Sequence, residues 1–533
     1  MKKLLALLLA VVMIFALVAC VQEGEGEGEG EGETDISKRY GGHLDIVSTN
    51  INATYDGASV GGIYHWPNLI FECPLSRDAN GNVAPGVCDF ELSEDQLTLK
   101  LWVREGMTFH DGSPVEIEDV VASMMRRGHK SPTTYVINYL AEDPTVENGV
   151  ATFKFKKYSE KTMYYIASTK PLHAVYTKEF CEEFPGITED GNVYNREWAK
   201  AIGTGPYKID SARDNEWRKF VRYENYVQPD ASLTGAAGPK MSYFDSITFH
   251  ALGDGAAAAI RLLNHELDVY AATLEEYQAQ FEMNDLAQTQ QTGTKTYFLL
   301  FNNRNQTNQV HDDINLRKAI CAAIDFEELN TEMWGSNYNL AGTPALDGAY
   351  YVDTWEKADY MGAANVDLAK QYLKQSKYKE GDKVYYIGTD ANLAALLEDY
   401  LEAAGIAMEI DIKDSTEVDN RVCDGEAYWN FTFWPFTAGN TPSTISSNAY
   451  DRGWQSEDKD DVYEILTTTV PGSAEYMAAW KEMAHLWVDE CVTVYVGQQY
   501  ATWTHHKDLV VDYTGSDIYI WNWYWKNPSA HAE

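Results

Sequence analysis

The 533-residue sequence carries no His-Glu-x-x-His and no P-loop, so the common zinc-protease and nucleotide-phosphate signatures are missing. Basic residues are scarce: 42 Lys and Arg face 81 Asp and Glu, for a formal net charge of −39. A surface of that sign repels phosphate backbones and anionic lipid headgroups, which argues against a nucleic-acid partner. The seven cysteines form no CxxC pair and no Cys/His cluster at zinc spacing, so neither a metal site nor a cofactor is expected. Beyond residue 19 no apolar run reaches membrane-spanning length, and no repeat of solenoid period is visible.

What is present begins at the amino end. Lys2 and Lys3 precede sixteen uncharged, mostly apolar residues, Leu4 to Ala19, too few to span a bilayer comfortably. This reads as a signal peptide, residues 1–19. Leu17-Val18-Ala19-Cys20 closes it with small residues before a cysteine, the pattern of a lipoprotein cleavage site, and makes Cys20 the lipidated amino terminus of an exported, membrane-anchored chain. Residues 20–34 follow as a tether: the strict Glu-Gly alternation from Glu23 to Glu33 has nothing to bury and six like charges that repel. Without Lys2, Lys3 and those six glutamates, 40 basic and 75 acidic residues remain, so the acidity belongs to the folded body.

That body exceeds what one hydrophobic core normally organises, and two lobes are expected. The chain's 45% hydrophobic and 13% aromatic content can fill both. Leu97 to Val103 alternates apolar and polar residues as a half-buried strand does. Ser113-Pro114-Val115-Glu116 then offers a capping box, and Ile117, Val120, Val121, Met124 and Met125 follow on one helical face. A clearer unit runs from the strand Val384–Ile387 through Leu393, Leu396, Leu397, Tyr400 and Leu401 to Gly405, then to a second strand at Ile406, Met408, Ile410 and Ile412. Strand, helix, strand at this spacing predicts a parallel pair with a right-handed crossover. Cys73 and Cys88 flank the turn Asp78-Ala79-Asn80-Gly81-Asn82, which could bring them together as a disulfide; Cys321 falls in an apolar helical stripe and reads as core.

Five blocks resemble family 5, the peptide/nickel class, of extracellular solute-binding proteins, which serve ABC importers. They are Leu97–Leu101 with Val103–Pro114 and Glu118–Val121; Gly203-Thr-Gly-Pro-Tyr-Lys; Arg261–Leu263 with Glu266–Val269; Phe301-Asn302-Asn303 with Asp313–Ile320 and Ala323-Ile-Asp; and Leu401–Ile406. The resemblance implies an α/β, two-lobed periplasmic-binding-protein-like fold with a hinge. Lobe I would be residues 35–270 with an inserted subdomain at about 65–190, lobe II residues 271–497, and residues 498–533 a return to lobe I. The interlobe crossings fall near Leu267–Ala272 and Val494–Thr504. His110, without a nucleophile motif beside it, reads as structural, as do the Gly203–Pro206 bend and a helix start at Asp313.

The implied function is binding, not catalysis: a monomer that captures a small solute between its lobes and delivers it to a permease. Candidate contacts are Trp434, Phe436 and Thr437 of lobe II, Asn302, and Tyr64 and Trp66 of lobe I. The family's best-known peptide binders place an aspartate three residues after a tryptophan, where this chain has Thr437. A hydroxyl offers no charge to a buried ammonium, so Asp424 or Glu426 would have to substitute. Peptide is the favoured ligand; an oligosaccharide or another solute is the alternative, and a secreted hydrolase, built on paired carboxylates, is the alternative of a different class. The anchor is directly testable, since two acyl chains bury methylenes at about 0.8 kcal/mol each. Cys20→Ser should release the chain from membranes in a fractionation assay, and a variant that stays membrane-bound would refute lipidation at Cys20.

Overall fold

A computed structural model describes residues 36–532 apart from 49–53, 60–65, 129–135, 159–162, 164–165, 168–170, 253, 272–276, 305–306, 336–337, 340–351, 353–357, 424–426, 438–453, 455, 471 and 515–516. The leader, Cys20 and the Glu-Gly run lie outside the described residues. Among the described residues no helix is long and apolar enough to cross a membrane.

Strand β1 (His43–Ser48) opens the main sheet. A smaller antiparallel sheet follows, built from β2 (Cys88–Leu92), β3 (Thr98–Val103), β4 (Thr145–Glu147) and β5 (Val150–Lys154) in the order β2-β3-β5-β4. On β3, Leu99 and Leu101 are fully buried while Trp102 lies exposed between them and Val103, which is the alternation its sequence requires. Helix α1 (Ile117–Met125) packs Val120 and Met124 into the same core. Its start differs from the sequence expectation. Pro114 is held extended in a bridge with Thr108, and Ser113 turns back to Asp111, Oγ to Oδ1 2.6 Å. The cap is Glu116, three residues later, whose N–H donates to the Asp119 carboxylate at 2.9 Å.

The main sheet continues through β6 (Tyr207–Arg213), β7 (Trp217–Arg222), β8 (Ser246–Ala251), β9 (Val269–Ala271), β10 (Leu286–Phe301), β11 (Lys383–Gly388), β12 (Ala407–Ile412), β13 (Phe431–Thr437) and β14 (Thr493–His506). Its order is β6-β7-β8-β1-β9-β14-β10-β13-β11-β12. β1 runs parallel to β8 and β9, and β11 parallel to β12 and β13; the other neighbours are antiparallel.

Helix α2 (Ile314–Ala323) starts at Asp313, whose carboxylate accepts the Leu316 N–H at 3.0 Å. Between β11 and β12 lies α3 (Ala391–Ala404), capped by Asp390 and ended by Gly405 at φ +85°. Leu393, Leu397 and Leu401 are its buried stripe, and the flanking strands are parallel, as expected from the sequence. With Trp480 and Trp487 of α4 (Ala474–Glu490) and Phe298–Phe301 of β10, they form the core of the second half. Leu44, Trp66, Tyr207, Phe244, Trp523 and Trp525 form that of the first, so the carboxyl-terminal stretch packs there. Leu267–Ala272 does not carry the chain across: Val269 pairs with Ile46 and His505, and Phe281 and Leu286 still pack with Val47 and Leu262.

Two of the family-like blocks meet face to face. The His110 N–H donates to the Gly203 carbonyl at 3.0 Å, and the Gly203 N–H donates to His110 Nδ1 at 3.2 Å. Nε2 therefore carries the ring proton and donates to the Gly205 carbonyl at 3.0 Å. The bend has no room for a side chain, because a Cβ on Gly203 would sit 1.9 Å from the Ile70 carbonyl oxygen. Burial of this neutral ring pushes the His110 pKa down to about 4. A proton on Nδ1 would face the Gly203 N–H.

The unfolded chain binds that proton near pH 6.5 and the folded chain only near 4. The stabilisation is thus complete above about pH 6.5 and is lost as pH falls toward 4, by up to roughly 3 kcal/mol. His110→Gln, less stable at pH 7, should show a gap to wild type that narrows across this window in denaturant titrations. A gap independent of pH would contradict the buried neutral ring.

Candidate functional site

The point where the two halves join is written in the pairing of β10 and β14. Leu286–Gln291 of β10 pairs with Ala501–His506 of β14, beside β9 and β1. After a register break, Lys295–Leu300 pairs with Thr493–Gln499, and Lys295–Phe301 also takes β13 as its other neighbour. Each strand therefore begins in one half and ends in the other. A break in a ladder releases backbone groups and bends the strand, which suits a connection between two bodies.

β13 ends at this break. Thr437 stands opposite Lys295 and Phe436 opposite Thr296, while Trp434 stands opposite Phe298. Phe431 and Thr432 are fully buried, Phe433 nearly so, Trp434 is half-buried and Pro435 exposed: the strand emerges from the second half's core as it approaches the crossing. Trp434 packs on the cluster of Ile387, Val418, Val422 and Trp429. The structure thus brings Trp434, Phe436 and Thr437 to one strand end at the junction.

It does not bring Asn302 there. From Lys295 to Asn302 is seven residues along the strand direction, about 23 Å. Asn302 is buried, its amide donating to the Ala427 carbonyl at 3.1 Å and its backbone N–H to Asn430 at 3.0 Å, so it stitches β10 to the approach to β13. Trp66 has no exposed surface. Its ring stacks on Phe220 with centroids 6.1 Å apart, under the Arg218 guanidinium at 4.3 Å, inside the first half's core. In this conformation it offers no face to a solute. Tyr64, Asp424 and Glu426 lie outside the described residues.

Two buried charge clusters escaped sequence reasoning. Glu72 accepts hydrogen bonds from Lys240 Nζ, Tyr226 Oη (2.8 Å) and Thr204 Oγ1 (3.0 Å). Burial raises its pKa most strongly of any single cause, but the charge and hydrogen bond of Lys240, the Tyr226 hydroxyl and the charge of Arg104 together hold the carboxyl below its usual range. Arg126 forks onto Asp56, which also accepts from Tyr176 Oη at 3.3 Å, and gives Nε–H to the Phe184 carbonyl at 2.6 Å. The attraction of Asp56 raises the Arg126 pKa against the cost of burial. Each of these charges is paired, and together they fasten loops of the first half. Their signal, single charged residues scattered between apolar runs, cannot be told from surface charge in sequence.

One group among the described residues could offer three ligand atoms to a cation within 4.8 Å of one another: His506, Asp508 and His531. It lies at the first-half end of β14, and the Asp508 N–H donates to His506 Nδ1 at 3.1 Å, which leaves the ring proton on Nε2. A pocket of about 350 Å³ lined by Met125, Arg127, Lys178, Cys181 and Pro185 holds none of the expected contacts. Cys73 and Cys88 flank the expected hairpin (Leu75–Arg77 with Val83–Pro85), where the Val87 N–H donates to the Cys73 carbonyl at 3.2 Å; both residues are buried and no disulfide joins them in the structure.

Two α/β halves joined by a pair of long strands give the two-lobed architecture of the periplasmic binding proteins. The chain belongs to family 5 of the bacterial extracellular solute-binding proteins: the sequence profile described as "Bacterial extracellular solute-binding proteins, family 5 Middle" matches residues 82–456. A probable peptide ABC transporter periplasmic-binding protein of Sinorhizobium fredii is 22% identical over 484 residues, 85% of this chain and 87% of that one. The crystal structure of the ABC transporter substrate-binding protein CtaP from Listeria monocytogenes superposes with a TM-score of 0.74 at 18% identity, covering 91% of this chain and 99% of that one. A periplasmic binding protein, DppA, of Helicobacter pylori in complex with the peptide STSA gives 0.71 at 16% identity, covering 92% and 100%.

If the half-buried Trp434 ring forms a wall of the solute site, Trp434→Ala should weaken the cognate solute by about 2 kcal/mol, roughly thirtyfold in Kd, by analogy with buried aromatic anchors. Unchanged affinity in a variant with wild-type circular dichroism would remove Trp434 from the site.

Proposed function

We propose that this protein captures a peptide between its two halves and delivers it to the permease of an ABC importer, while a lipid on Cys20 holds it at the outer face of the cytoplasmic membrane. The observation that carries the reading is the position of Trp434–Thr437 at the register break between the halves. A solute that touches this strand end and the opposing half gains its second set of contacts only when the halves approach, so binding shifts the equilibrium toward closure by that difference in affinity. Closure is assigned to β10 and β14, with the outgoing crossing at 291–295 and the return between Gln499 and Ala501. The Glu-Gly tether of residues 23–33 would let the body reach the permease while the anchor raises its local concentration.

Peptide is preferred because the Sinorhizobium relative is named for peptide transport and the Helicobacter structure holds one. Thr437 refines the preference. With no carboxylate at that position, a free amino terminus would need Asp424 or Glu426, or would have to remain near water; a blocked or cyclic peptide would need neither.

A thermal-shift screen of the unlipidated body against peptide and oligosaccharide libraries tests this. A ligand at a hundred times its Kd adds about 2.7 kcal/mol of stability. Stabilisation by a subset of peptides is the expected outcome; stabilisation by oligosaccharides and by no peptide would overturn the substrate class.

A further inference from the structure

The second half contains two thiols in contact. Cys321, on the last turn of α2, and Cys491, at the carboxyl end of α4, have Sγ atoms 3.7 Å apart, and neither residue has any exposed surface. The contact does not hang on side-chain rotation alone, because the two helices are clamped. Arg317, one turn before Cys321, donates from Nη2 and Nε to the carbonyls of Glu490 (2.7 Å) and Cys491 (2.9 Å) and from Nη1 to those of Val310 (2.6 Å) and His311 (3.0 Å). Cys491 adopts φ 49°, ψ 49°, the left-handed cap geometry that favours glycine or asparagine. A cysteine there bears the conformational cost and sends its thiol inward.

We infer that Cys321 and Cys491 form a disulfide in the exported protein. The family is extracellular, a setting in which thiols in contact are oxidised and stay so. The reaction joins the two sulfurs, releases two protons and transfers two electrons to an oxidant, here a disulfide of a thiol-exchange protein or a low-molecular-weight thiol, which is reduced to its two thiols. Bringing 3.7 Å to a bond of about 2.05 Å asks the sulfurs to approach by about 1.7 Å, a movement shared between rotations about χ1 of the two residues. Exchange requires a thiolate, and burial holds the Cys321 thiol well above its ordinary range. The bond therefore forms before the core closes, and afterwards no reductant can reach it. Its place matters to the hinge: Cys491 lies two residues before Thr493, the first residue of β14, so the bond roots the returning strand in α2.

The experiment uses the full chain, exported by an aerobically grown bacterial host, quenched in acid and alkylated under denaturing conditions before and after reduction. Peptide mapping by mass spectrometry should find Cys321 and Cys491 unlabelled before reduction, recovered as one cross-linked peptide pair, and both labelled after it. The folded oxidised protein should also resist reduction by dithiothreitol until denaturant is added. Labelling of both cysteines without reduction, or linkage of either to a different cysteine, would overturn the inference.

Discussion

The architecture depends on one pair of strands. β10 and β14 hydrogen-bond to each other along most of their length, yet their outer neighbours belong to different halves: β9 on one side of the break, β13 on the other. Backbone ladders hold their members at fixed spacing, so the halves cannot separate without breaking the sheet, and the register of that sheet is interrupted between 291 and 295, where the proposed closure is centred. The solute residues proposed at Trp434–Thr437 are positioned by this same interruption, since β13 runs out of the second core just where β10 changes partners.

Each half is fastened internally by buried polar contacts. In the first half the Gly203–Pro206 bend lies flat against the Ile70 carbonyl, is locked to His110 by three hydrogen bonds, and passes Thr204 to the buried Glu72. In the second, Arg317 gathers four carbonyls around the end of α4. Removing one partner from such a buried group costs far more than the pair contributes net, which is why these contacts resist loosening without being large sources of stability.

Much of this was legible in sequence because it is local. The β11-α3-β12 unit follows from a helical leucine stripe, a glycine stop and flanking alternation, and the Asp313 cap from a carboxylate three residues ahead of a helical N–H. What failed was non-local. Trp66 looked like a cleft ring because rings were concentrated near it; its partner is Phe220, 154 positions away. Asn302 belonged to a family-like block whose role is to stitch β10 to residues near 430. Ser113-Pro114 resembled a helix start, but a bridge to Thr108 keeps it extended. The motif that ends near Leu267–Ala272 suggests a crossing there, whereas Val269 still pairs with Ile46 and His505, and the ladder, whose register no single sequence displays, breaks only after Gln291.

Small-angle X-ray scattering of the unlipidated body, alone and saturated with a stabilising peptide, tests the central claim most directly. Closure about β10 and β14 predicts a smaller radius of gyration in the complex and a loss of scattering at the longest intramolecular distances. A bound peptide, verified by thermal shift in the same sample, with an unchanged scattering profile would contradict capture by hinge closure.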